Sequence, residues 1–87
     1  MYRDYLVLGV GCEVCEHEFM KNVVREARKV GMKVVICSPD DRRRICRIAL
    51  RTGVPAVVRR DEEGVRVVAS GFSQVLDFIE RKRRWMV

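Results

Sequence analysis

At 87 residues the chain is the size of one small domain, and 48% hydrophobic with 34% charged residues is the composition of a folded chain, not a disordered one. Its longest apolar stretches, Leu6 to Cys12 and Val34 to Cys37, fall well short of the ~20 residues a membrane-spanning helix needs, so no span is expected. The net charge of +6 bears on association and solubility, and alone assigns no partner.

Arg3 and Asp4 precede an apolar run ending in Gly-Cys-Glu, without the longer apolar region and small-residue cleavage site of a secretory signal, so a cytoplasmic setting is expected. In that setting the four cysteines point to redox or metal chemistry more than to structural disulfides. No repeat, low-complexity tract or linker divides the chain, and 1–87 is expected to be one domain.

Tyr5 to Val10 is a short apolar run closed by Gly9 and Gly11, the pattern of a strand buried on both faces. From Cys15 onward, Phe19, Val23, Ala27 and Val30 recur at spacings of three and four with charges between them. This predicts one amphipathic helix with Cys15 and Phe19 facing inward, stopped at Gly31. Lys33 to Cys37 reads as a second strand. Ser38-Pro39-Asp40-Asp41 then offers a capping hydroxyl, a proline and two carboxylates, so a helix is predicted to start there, with Ile45, Ile48, Ala49 and Thr52 on one face and Gly53 ending it. Ala56 to Arg59 and Val65 to Ala69 read as a hairpin around Arg60 to Gly64, and Ser73 as the cap of a last helix with Val75, Leu76 and Ile79 inward. The order βαβαββα, with right-handed crossovers, predicts a four-stranded mixed sheet with helices on both faces, an α/β fold. With strand three antiparallel beside strand one, Cys12, Cys37, Pro55 and Gly71 come to one edge of that sheet.

Cys12-Glu13-Val14-Cys15 sets two thiols three residues apart at the turn from strand into helix. Free amides and the helix dipole favour a thiolate there, making Cys12 the candidate nucleophile, and Cys15, about one turn on, the thiol that would resolve a mixed disulfide. Glu13 and Glu16 oppose that thiolate by their charge.

With this element order, the cysteine pair and Gly53-Val54-Pro55-Ala56, the whole chain resembles the thioredoxin and glutaredoxin superfamily. The resemblance implies a thioredoxin-like domain that exchanges thiols and disulfides with protein or small-molecule disulfides, without a bound cofactor or metal. It implies that Pro55 is cis and faces Cys12 and Cys15, that Val54 offers its backbone to an extended substrate, and that Gly71 is the glycine after the last strand. Glu13 and Val14 stand where the family usually carries a proline. Val10 and Gly11 precede Cys12, and Phe72 follows Gly71, where glutathione-binding relatives carry basic, acidic or hydroxyl residues. A flavin-dependent reductase of the thioredoxin-reductase kind is therefore the expected electron donor, ahead of glutathione.

Two alternatives stand beside this reading, the first using the same cysteines. Cys12 and Cys15 could serve a non-catalytic metal or thiol carrier, even a four-cysteine zinc site with Cys37 and Cys46, although the eight residues between the latter do not match zinc knuckles. Packing roles for Cys46 in its helix and Cys37 at its strand end are favoured over that. Arg42 to Arg44 and Arg81 to Trp85 could bind nucleic acid, but cations suit a helix end and Asp40 and Asp41 adjoin the first run. His17 is read as an exposed helical partner of Glu13. The scarcity of amides among so many charges matches heat-adapted proteins.

Overall fold

The computed structural model describes residues 1–85, so the last two positions of the expected domain, Met86 and Val87, lie outside the described residues. The elements are β1 (Arg3–Gly9), α1 (Glu13–Glu16), α2 (Met20–Lys29), β2 (Lys33–Cys37), α3 (Arg44–Thr52), β3 (Ala56–Asp61), β4 (Gly64–Ser70) and α4 (Phe72–Trp85). The described residues form one sheet of four strands in the order β2-β1-β3-β4. β1 runs parallel to β2 and antiparallel to β3, and β3 pairs antiparallel with β4 through a tight turn at Glu62 and Glu63.

Side chains alternate across a strand, and here the alternation builds two cores. Leu6 and Leu8 of β1 and Val57 of β3 face α2 and α4, packing with Met20, Val23, Ala27, Val75 and Ile79. Tyr5 and Val7 of β1 and Ala56 and Val58 of β3 face α3, packing with Ile45, Cys46 and Ala49. Helices therefore cover both faces, and both central strands read as apolar runs because neither face meets water. Each fully buried Leu or Val contributes about 1.5–3 kcal/mol. Among the described residues no helix is long and apolar enough to cross a membrane.

The expected long helix after Cys15 is instead two helices. His17 ends α1 in extended conformation (φ −65°, ψ 145°), and its Nδ1 accepts the Phe19 amide at 3.4 Å, a bond outside the helical ladder. The break restarts the helical phase, so Met20 enters the core while Phe19, expected inside, is exposed. It also removes the i,i+4 geometry expected of Glu13 and His17.

The helix expected to begin at Ser38 is α3, which starts at Arg44. Ser38 to Asp41 is a turn in which the Asp41 amide donates to the Ser38 carbonyl (3.1 Å) and the Ser38 hydroxyl to Asp40 (3.0 Å). Asp41 then accepts from the Arg43 amide and guanidinium, which hold its carboxyl down at about 2. The reason lies at Cys37 and Cys46, which are joined by a disulfide with their Cα atoms 5.7 Å apart. A helix running from Pro39 would carry Cys46 about 10 Å along its axis from the end of β2, too far to bond. These residues, expected as separate packing cysteines, form instead a buried staple between β2 and α3.

At the other end, α4 begins at Phe72, and Ser73, expected as its cap, lies within the first turn; the Val75 amide donates to the Gly71 carbonyl at 3.0 Å. Its last turns are tied down by buried Asp4 of β1. Asp4 accepts from Arg59 Nε at 2.8 Å and from Lys82 Nζ at 2.6 Å. Burial pushes the Asp4 carboxyl up, but these two bonds outweigh it and hold the group below its ordinary value. Arg83 binds Glu26 of α2 and Arg81 binds Asp77, so the cation run at the end of α4 is largely committed to carboxylates of its own chain.

Candidate active site

The carboxyl ends of β1 and β4 and the start of β3 meet at one edge of the sheet, because β3 runs against both its neighbours. The chain leaves β1 through Gly11, at φ +82°, and Cys12 becomes the N-cap of α1. The Cys12 sulfur accepts the Cys15 amide at 3.2 Å and lies 3.6 Å from the Val54 carbonyl oxygen. Cys15 is buried, its sulfur accepting the Gly9 amide at 3.4 Å, while Cys12 is partly exposed. The two cysteines form a disulfide with Cα atoms 5.1 Å apart.

Of the other residues expected at the site, Val54 lies against Cys12, with Pro55 and Gly71 adjoining it through the backbone. The Val54–Pro55 bond is cis, as expected. The Gly71 amide donates to the Pro55 carbonyl at 2.8 Å, and the Ser70 hydroxyl to the Gly53 carbonyl at 2.8 Å, so the end of β4 fixes the backbone that faces Cys12. Cys37, expected at the same edge, ends β2 beside Gly9, but its sulfur is directed to the opposite face, into the core under α3. The sheet therefore separates the two cysteine pairs, against a shared four-cysteine metal site. Cys37, Asp41 and Cys46 do place donor atoms within 4.8 Å of one another, yet with both sulfurs bonded to each other they offer a metal only a carboxylate that Arg43 already holds.

Three supports of the site went unread in the sequence. Gly9 is one, since a Cβ there would come within 2.9 Å of Val54 Cγ2, so its bare backbone lets Val54 approach the cysteines. Glu16 is another, its carboxylate accepting the Gly11 amide at 3.1 Å and fastening the loop before Cys12. The third is the edge-to-face contact of Phe19 and Phe72 with ring centroids 4.7 Å apart, which with exposed Val10 and Val14 makes an apolar rim. The signal for Glu16 was available, because a carboxylate just inside a helix can reach back to an amide before it.

The electrostatics differ from the expected long-helix dipole. α1 has only four residues, so the dipole beneath Cys12 is short, and what acts on its sulfur is the directed amide of Cys15. On reduction the same amide faces the Cys12 thiolate and stabilises it over the thiol. Cys15, enclosed by Leu8 and Met20, lacks that access to solvent.

Compared with protein-family models, curated proteins and solved structures, the chain matches none. The chemistry of the site is therefore read from its own residues.

Proposed function

We propose that the protein is a thiol–disulfide oxidoreductase with a thioredoxin-like fold, acting through Cys12 and Cys15. The observation that carries this reading is the unequal pair itself: a partly exposed sulfur with an amide donor, bonded to a buried one, beside Val54, Pro55 and Gly71. The strand order β2-β1-β3-β4 supports the fold assignment.

In the reduced protein the Cys12 thiolate attacks one sulfur of a substrate disulfide. A Cys12–substrate bond forms, the substrate S–S bond breaks, and the second substrate sulfur leaves as a thiolate that takes up a proton. Cys15 then attacks Cys12 Sγ and closes the Cys12–Cys15 disulfide, its proton passing to the first substrate sulfur as that sulfur is expelled. Two electrons have passed from the cysteine pair to the substrate. A dithiol of a flavin-dependent reductase returns them by the reverse exchange. Val54, next to Cys12, supplies backbone groups that an extended substrate can pair with. A cytoplasm kept reducing by such a reductase is the setting this cycle needs.

The ties of Arg43, Lys82 and Arg83 to Asp41, Asp4 and Glu26 support structural roles for those cations over nucleic-acid binding. The test is turnover of a protein disulfide with either a thioredoxin-reductase system or glutathione as electron source. Activity with the reductase system, lost in Cys12→Ser, is expected; equal activity of wild type and Cys12→Ser contradicts the proposal.

A further inference from the structure

Resting on the exchange chemistry proposed above, we infer that a basic groove along α2 selects disulfide partners by an acidic segment next to the reactive cysteine. The groove has a volume of about 720 Å³, and Cys15 is among the residues that line it. Its floor is apolar, made by Leu8, Met20 and Val24. Lys21, Arg25 and Arg28 line it at i, i+4 and i+7, one face of the helix. Among the described residues none of these three lies within ion-pair distance of a carboxylate, whereas neighbouring Lys29 is paired with Glu26 at 3.1 Å. The carboxylate in the groove wall, Glu16, is turned to the Gly11 amide.

Charge and length together choose the occupant. Lys21 and Arg28 are seven residues apart, about 10 Å along the helix axis. An extended peptide rises about 3.3 Å per residue, so a segment of roughly three residues matches the row, and carboxylates at alternate positions lie about 7 Å apart on one side of it. A single small anion would reach only part of the row. Outside the groove lining, Ile36 pairs with Leu8 in register, shares its face of the sheet and is 61% exposed on the edge strand β2. An acidic segment with an apolar residue at one end fits cations above and Ile36 beside. Cys15 lines the groove and is bonded to Cys12, so a partner docked there lies next to the reactive pair.

The test compares two peptide disulfides, one flanked by three glutamates and the other by three glutamines, as substrates of the full chain. The acidic peptide is expected to show a kcat/KM about ten-fold higher at low salt, with the advantage lost at high salt. Lys21→Gln/Arg25→Gln/Arg28→Gln is expected to lose the preference while reducing the glutamine peptide at the wild-type rate, which also reports that the variant is folded. An unchanged preference in that variant, or none in wild type, overturns the groove while leaving the exchange chemistry standing. A second arm titrates a glutamate peptide with serine in place of cysteine into the oxidised protein, following backbone amide resonances. Shifts confined to α2 and Ile36 support the groove even if no peptide is turned over, a result that would sink the exchange chemistry alone. Shifts elsewhere, or none, overturn the groove.

Discussion

The sulfur of Cys12 lies 3.6 Å from the carbonyl oxygen of Val54, while that of Cys15, three residues later, is buried beneath the Gly9 amide. The two thiols of the reduced pair therefore differ in access as well as in hydrogen bonding. Reduced protein treated with iodoacetamide should be labelled at Cys12 at least about ten-fold faster than at Cys15, Cys37 or Cys46, since reactivity follows thiolate character and exposure. Peptide mass spectrometry of a labelling time course measures this, and equal rates at Cys12 and Cys15 would count against the division of labour between them.

Asp4 joins β1 to Arg59 of β3 and Lys82 of α4, so Asp4→Asn leaves two partly buried cations without their shared anion. A loss of about 3 kcal/mol is expected, the scale of breaking a buried pair. The pH dependence has a definite sign. The folded Asp4 carboxyl sits below its ordinary value of 3.8, so its contribution is complete above that value and fades as pH falls through the lower folded one. Asp41 and Glu26, also held down by cations, add slope of the same sign. Urea midpoints from pH 7 down to pH 2 should thus fall more steeply for wild type than for Asp4→Asn. Parallel curves would contradict the assignment.

The order of strands, the pairing of β1 with β2 and β3, and the placing of Cys12, Cys37, Pro55 and Gly71 at one edge were legible because apolar runs and handedness leave few arrangements of βαβαββα. Val54 came only from the family resemblance, and the turning of the Cys37 sulfur to the other face was not legible. Nor was the break at His17, since neither glycine nor proline marks it and the 3.6-residue spacing runs on through it. That break moved Phe19 to the rim and Met20 to the core. Asp4 was invisible for a different reason. A carboxylate near a strand end reads as solvent-facing until Arg59 and Lys82, distant in sequence, are brought beside it. Ser38-Pro39-Asp40-Asp41 carries every local mark of a helix start, and the Cys37–Cys46 bond overrode them.

That bond closes a short loop on the face of the sheet away from Cys12 and Cys15, its cysteines nine residues apart. Restricting the unfolded chain over such a loop is worth about 3 kcal/mol. Cys37→Ala/Cys46→Ala should therefore unfold at lower denaturant concentration while keeping disulfide reduction at the wild-type rate at temperatures where it stays folded. Loss of turnover in a folded double variant would mean that the second pair takes part in the exchange.

The division of roles between the exposed and the buried sulfur is tested most directly by trapping. Cys15→Ser, incubated with a disulfide substrate and analysed by intact and peptide mass spectrometry, should accumulate a one-to-one mixed disulfide through Cys12, because the first attack proceeds and the resolving one cannot. Cys12→Ser under the same conditions should accumulate none. A trapped adduct on Cys37 or Cys46, equal trapping by the two variants, or no adduct with Cys15→Ser would contradict the account.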